Sequence, residues 1–547
     1  MIDTNTANRQ IARAAGVVMA GFVLSNLTGL LRKVLVSNAF GTSGPLDAFI
    51  AASRVPDTLF MLVAGGALAS AFIPTFTGFL EKDDQEGAWE LASAVMNLVS
   101  LILAGTSILA AAFAPQLVRT ILASNLSPEK QVLTASLLRV LLISPTIFGV
   151  SGLLMGILNT HQHFLLPALA PTMHWIGHII GVLVFVPSMG IHGLAWGAVL
   201  GAGLHLAVQL PGLRRLPWKR YALSLPGIWE RNRPISVCAL RLRSAYARLG
   251  LGLPAVREVV RLMGPRVIGT AVIQLNFWVN VILATGMPEG SISAIDLAFS
   301  VMMMPQVVVA QAIAIAALPT FSAQEARGQL GEMRASLAST LRGVILLSLP
   351  ATVGLIVLRQ PVIGVLFERG AFDAHSTALV TWALLWYTAG LVSHSVVEIV
   401  SRAFYALHNT KTPVMVGAAT MGLNVVLSIG FAAWFERAGW MPHGGLALAN
   451  TVATTLEMFA LLALMRRRLG GLEGRRVLLA VAQSGLGAVG MWLGIVSWLG
   501  VSGMSEWASA VGGILIGGAI YGASMLVGRG EEAGAVVGAR VRRLQRR

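Results

Sequence analysis

Met61-Leu-Val-Ala-Gly-Gly-Ala-Leu-Ala-Ser-Ala-Phe-Ile-Pro-Thr-Phe76 can be laid without a gap on Gln306-Val-Val-Val-Ala-Gln-Ala-Ile-Ala-Ile-Ala-Ala-Leu-Pro-Thr-Phe321. Upstream, Asp47 and Pro56 have the same separation as Asp296 and Pro305. Downstream, Leu158-Asn159-Thr160 is echoed by His408-Asn409-Thr410. Every one of these offsets falls near 245 to 250 residues. Apolar helices resemble one another easily, so a single echo says little. Three echoes in one order at one offset argue for an internal duplication.

The segments around the repeat are apolar enough to define the class. Of 547 residues, 55% are hydrophobic and 12% charged, and mean hydropathy is +0.74, outside the range of soluble domains. About fourteen stretches approach the roughly 20 residues that cross the hydrocarbon of a bilayer. They run approximately over 11-38, 46-78, 88-113, 133-157, 165-187, 192-212, 264-286, 291-318, 337-358, 376-405, 413-435, 444-465, 476-500 and 507-528. The expected fold class is an all-α polytopic membrane protein with about 14 transmembrane helices. The expected divisions are an N-terminal six-helix lobe (1-213), a basic loop (214-262), a C-terminal six-helix lobe (263-466), two further helices (467-528) and a basic tail (529-547). Six spans separate the copies, so both enter the membrane in the same orientation, related by a pseudo-two-fold axis along the membrane normal. Parallel repeats of this kind build transporters whose site lies between the lobes and opens alternately to each side.

The net charge of +16 does not point to nucleic acid, because the basic residues are confined to alternate loops. Arg214, Arg215, Lys219, Arg220 and further arginines fill the loop after span 6. Arg466, Arg467 and Arg468 follow span 12, and Arg546 and Arg547 close the tail. The opposite loops, such as 187-190 and 287-290, carry no Lys or Arg. The positive-inside rule therefore puts both termini and the 6-7 loop in the cytoplasm. The first ten residues lead into a span too long for a signal peptide, so a retained N-terminus is expected. Cys238 is the only cysteine, which excludes an intrachain disulfide and a thiolate metal cluster. No stretch reads as a nucleotide-binding loop and no catalytic arrangement stands out, so neither an enzyme nor a self-sufficient ATP-driven pump is expected, and no cofactor.

The informative residues are the charges within the spans, since an ionisable group at membrane depth normally faces an interior or a wet cavity. Arg32 and Lys33 lie near the end of span 1, Arg32 about 32 Å along a straight helix. Two readings are open: snorkelling to the interface, or a helix bent at Gly29 and Gly41 that keeps Arg32 on a cavity wall. Arg54, two residues before Pro56, has the same alternatives, and Asp47 is placed to neutralise either arginine. On span 10, His394, Glu398 and Arg402 recur every four residues on one face. A self-satisfied ion pair and a gating or coupling role are both compatible with that spacing. Gln274, Asn276 and Asn280 on span 7 suit interhelical hydrogen bonding, with Asn280 also a coupling candidate. His174 and His178 stand one turn apart, but no acidic or thiol partner is evident, so no metal site is expected.

Several segments carry a resemblance to a known family. They are Gly29-Leu-Leu-Arg32 with Asn38-Ala-Phe-Gly41, Leu46-Asp-Ala-Phe49 continuing to Arg54-Val-Pro56, and Met263-Gly-Pro-Arg266. Gly66-Ala67 to Ala71-Phe-Ile-Pro74, Leu366-Phe-Glu-Arg-Gly-Ala-Phe372 and Ala403-Phe-Tyr-Ala-Leu-His-Asn-Thr-Lys-Thr-Pro413 complete the set. Together the chain resembles the MurJ (MviN) family of bacterial lipid II flippases, within the multidrug, oligosaccharidyl-lipid and polysaccharide exporter superfamily, from about residue 10 to residue 525. The resemblance implies a cationic cavity and movement of an undecaprenyl-pyrophosphate-linked peptidoglycan precursor from the inner to the outer leaflet of the bacterial cytoplasmic membrane. It also implies membrane lipids and cell-wall polymerases as partners, and Arg32, Arg54, Lys33 and Asp47 as substrate-binding residues. The chain departs from the pattern where many relatives carry arginine, at Phe60, Met61 and Ser300, so anion binding would rest on fewer residues. The competing readings are export of another polyprenyl-linked oligosaccharide or of a small cationic drug, and a scaffold that transports nothing.

Overall fold

The computed structural model describes residues 4–63, 67–213, 216, 252–501 and 505–528. Most of the basic 6-7 loop, with Cys238, and the tail after 528 lie outside the described residues. The described residues are helical and contain no strand. A continuous hydrocarbon environment dictates this, because only a helix satisfies its backbone N–H and C=O groups within one segment. Among the described residues, eleven helices are long and apolar enough to cross a membrane. The number is 12 when Ala374–Thr388 and Leu391–Ala406, bent by 47°, count as one span.

The chain divides into two compact units, Met1–Gly286 and Met287–Arg547. The principal helices of the first are α1 (Thr4–Phe40), α2 (Gly44–Val63), α3 (Ala67–Glu81), α4 (Gln85–Ala112), α5 (Pro128–Leu141), α6 (Ser144–Thr160), α7 (Leu165–Ile180), α8 (Ile191–Ala207) and α9 (Pro254–Ala284). Two apolar cores hold them. One gathers Phe72, Phe76, Trp89 and Leu154 from α3, α4 and α6, and the other Phe49, Val55, Leu138 and Leu194 from α2, α5 and α8. By chain order α9 opens the second copy of the repeat, yet it packs on α2 and α3. Contact and duplication thus divide the chain at different points.

The second unit contains α10 (Ser291–Gln306), α11 (Ala312–Ala326), α12 (Leu330–Val357), α13 (Ala374–Thr388), α14 (Leu391–Ala406), α15 (Lys411–Arg437), α16 (His443–Leu469), α17 (Gly474–Leu499) and α18 (Glu506–Gly528). Its main core joins Phe321, Leu341, Phe404 and Met465 from α11, α12, α14 and α16. A smaller one joins α17 and α18 to α12, where the Tyr521 hydroxyl donates to the Leu346 carbonyl at 2.7 Å.

The repeat has a structural counterpart. Pro56 and Pro74 lie inside α2 and α3, and Pro305 and Pro319 inside α10 and α11. Each proline removes a backbone donor, so each marks a site where the helix is weakened. The offset between the copies changes by four residues, one helical turn, at Asp57–Phe60. The second copy lacks that turn and passes from Pro305 almost directly into the π-helical Val307–Gln311.

Candidate functional site

The charged run singled out in the sequence lies wholly in the first unit. Arg32 sits eight residues before the end of α1, about 12 Å from it along the axis. Its guanidinium lies over the ring of Trp175 on α7, 5.2 Å from the centroid, so Arg32 is held against a neighbouring helix rather than extended past its own end. The Trp175 indole N–H donates to the Ser25 hydroxyl of α1 at 3.2 Å. Trp175 packs against α1 at Gly29, where a Cβ would stand 3.4 Å from the indole nitrogen, in ordinary contact. Gly41, at φ +59°, ends the helix.

A stripe of glycines brings α7 against α8. Gly177 faces the Gly201 backbone, and Gly197 faces that of Gly181. A Cβ on Gly201 would press on the carbonyl oxygen of His174 and stand 2.8 Å from its Nδ1. Small residues at four-residue spacing are the usual means of close helix approach in lipid. Their consequence here is chemical. His174 and His178 of α7 pack against Trp175, their ring centroids 4.7 Å apart, and His205 of α8 lies close by. Phe148 of α6 lies edge-on between His174 and His205. His205 is fixed by the Ser151 hydroxyl, 2.6 Å from its Nδ1, and Gln209 donates to the same hydroxyl at 2.7 Å. Sequence spacing identified the first two histidines but not His205 or Trp175, which enter only because the helices meet. No group of three metal-ligating side chains occurs among the described residues.

Asp47 is buried near the start of α2, and Arg54 is half-buried one turn before Thr58. Arg32, Lys33, Asp47, Arg54 and Asp57 are each engaged by a polar or electrostatic contact. The Thr58 hydroxyl donates to the Arg54 carbonyl at 2.6 Å and accepts the indole N–H of Trp278 at 2.8 Å. A residue of α9 thereby grips α2 one turn from Arg54. Asn280, two residues on, is half-buried in the same helix.

The span-10 candidates lie in the second unit. Arg402 donates to Glu398 Oε1 from Nη2 at 2.8 Å and from Nε at 3.2 Å, both side chains half-buried, and its guanidinium lies 5.9 Å from the Tyr405 ring centre. The pair allowed by the four-residue spacing is therefore formed. His394 instead points to α16, with Nε2 3.1 Å from Asn450 Oδ1. Glu457 of α16, 3.4 Å from the Thr420 hydroxyl of α15, is an intramembrane carboxylate that periodicity did not single out, since no second charge repeats on its face.

The family model described as "Lipid II flippase MurJ" matches residues 36–514. A protein of Burkholderia cenocepacia named lipid II flippase MurJ is 30% identical over 457 residues, covering 83% of each chain. Among solved structures, a lipid II flippase MurJ in an inward closed conformation aligns with a TM-score of 0.75 at 23% identity, covering 94% of this chain and 99% of that one. An inward-facing multidrug resistance transporter of the MATE family aligns with a TM-score of 0.66 at 17% identity, covering 82% and 96%.

Proposed function

Because this chain belongs to the lipid II flippase MurJ family, we propose that it carries a polyprenyl-pyrophosphate-linked peptidoglycan precursor, lipid II, from the inner to the outer leaflet by alternating access, with Arg32 and Arg54 as the anchors of the pyrophosphate. The family match over residues 36–514 carries the substrate assignment. Physical chemistry supports the anchors. A pyrophosphate leaving water needs charge-assisted partners, and guanidinium groups supply them in planar, bidentate form. Arginines are expensive at membrane depth and are retained there when a function uses them. Lys33 adds to the field, and Asp47 limits how tightly the anion is held, which a carrier requires in order to release it. With Phe60 and Met61 where many relatives carry arginine, Arg54 is the one cation of α2.

In this reading the protein has fourteen spans in two six-helix lobes plus α17 and α18, lies in the bacterial cytoplasmic membrane with both termini inside, and delivers its cargo to cell-wall polymerases. It performs transport, not chemical transformation. Glu398, Arg402 and Asn280 are candidates for gating.

The test is complementation of a bacterium depleted of its own lipid II flippase, scored by survival and by lipid II accumulation. Wild type rescues; Arg32→Ala and Arg54→Ala do not, at equal membrane abundance. Equal rescue by both variants removes the anchors. Failure of inserted wild type shifts the assignment to another polyprenyl-linked oligosaccharide, a cationic drug, or a scaffold.

A further inference from the structure

The histidine cluster contains an unusual group. His178 is 5% exposed, and neither ring nitrogen has a hydrogen-bond partner among the described residues. A neutral imidazole carries one N–H and one lone pair, and both are normally satisfied when buried. Leucine or phenylalanine would fill the same space without an unsatisfied donor. His174 is similar at Nδ1. His205, by contrast, is tied to Ser151. The property that separates imidazole from those apolar side chains is its capacity to gain a proton near neutral pH.

The neighbours decide when that proton would be accepted. From α1 the charged group within electrostatic reach of both imidazoles is Arg32; from α7 itself each histidine faces the other; from α8 His205 reaches His174. The contribution of α6 is Phe148 and Ser151, neither of them charged. A second positive charge beside Arg32 is disfavoured while Arg32 faces no added anion. It is less disfavoured once a pyrophosphate sits there, because the negative charge of the bound anion offsets the repulsion between Arg32 and the added proton. Linkage makes the effect reciprocal: whatever the anion does for the proton, the proton does for the anion.

We propose that His174 and His178 form a proton-binding site coupled to anion occupancy at Arg32, so that one proton is taken up when the lipid head group binds and is given up when it leaves. This rests on the reading of Arg32 as a head-group anchor. The glycines at 177 and 201 are what bring the imidazoles and α8 into this arrangement.

The test measures binding of a short-chain lipid II analogue to the full-length protein in nanodiscs between about pH 4 and 8, a range that extends below the ordinary imidazole value. The probe is a pyrophosphate diester, whose charge is constant over that range. Uptake of one proton makes the affinity rise about tenfold for each unit the pH falls across the transition. His178→Gln and His178→Phe, each checked for unchanged thermal unfolding, flatten this slope while binding persists. Tryptophan fluorescence, corrected with Trp175→Phe, reports the same titration locally, and its midpoint moves upward when the analogue is bound. A flat slope in wild type with binding that still requires Arg32 overturns the coupling alone, as does a slope that survives both His178 variants. Binding undiminished in Arg32→Ala, or no binding at any pH, overturns the anchor and the coupling with it.

Discussion

Gly201→Ala and Gly203→Ala place the same methyl group two residues apart on α8, with opposite expected results. A Cβ at Gly203 meets nothing within 4 Å, whereas one at Gly201 is driven into the His174 carbonyl oxygen and lies 2.8 Å from its Nδ1. Both substitutions gain the helix propensity of alanine over glycine, about 1 kcal/mol, so that contribution cancels in the comparison. What remains is overpacking. The obstructing atom at Gly201 is backbone, which no rotamer change relieves, so α7 and α8 must separate, at a cost of about 1–3 kcal/mol. The difference between the variants is therefore about 1–3 kcal/mol, and Gly203→Ala is at least as stable as wild type. The assay is a detergent-denaturation titration of purified protein, paired with the complementation test. Because α7 carries His174, Trp175 and His178, Gly201→Ala should also weaken rescue more than Gly203→Ala. Equal unfolding midpoints for the two variants would refute the claim that backbone contact at the glycine stripe positions the site.

Replacing Glu398 with Gln leaves Arg402 half-buried without its carboxylate, and the double variant with Arg402→Met recovers part of the loss; a thermodynamic cycle should give a coupling of about 0.5–3 kcal/mol. If the pair is purely structural, the double variant also restores rescue; if it gates, the double variant is stable and inactive. Trp278→Phe removes the donor to Thr58 and should cost about 0.5–1.5 kcal/mol in denaturation, and Thr58→Val should cost more than Trp278→Phe because it also removes the hydroxyl's bond to the Arg54 carbonyl. Asp373, outside the spans, caps α13 by accepting the Ser376 amide at 2.8 Å, which holds its carboxyl below the ordinary aspartate value. A depressed carboxyl contributes its stability fully above the ordinary aspartate value and loses it as the pH falls through the depressed one. Asp373→Ala should therefore cost about 1 kcal/mol near neutrality and less in acid. Asp373→Asn keeps the cap without the pH dependence, measured by unfolding across an acid series.

Much of the fold was legible in the order of residues. Each apolar run long enough to span a bilayer reads as helix because hydrocarbon offers the backbone no other partner. The duplicated Pro56/Pro305 and Pro74/Pro319 pairs marked the same weak points in both copies. The Glu398–Arg402 contact was also readable, since four-residue spacing on one helix nearly determines it. The site was less legible. Arg32 had two outcomes in the sequence, an interfacial anchor or a wall residue, and only the placement of Trp175 on a different helix puts it against α7. His205 and Glu457 carried no local signal at all, because their partners stand 54 and 37 residues away.

What the residue order determined by itself was a property of each helix: its existence, its insertion, its faces and its kinks, all fixed by neighbours within a few turns. What only the tertiary structure decided was which helices touch. The glycine stripe set the approach of α7 to α8, and through it the gathering of His205 near the His174–His178 pair that stands beside one guanidinium. The Trp278–Thr58 bond drew α9 onto the first unit across 220 residues of chain. Such contacts depend on the fit of two surfaces far apart in sequence, and no periodicity along one strand of residues encodes that fit.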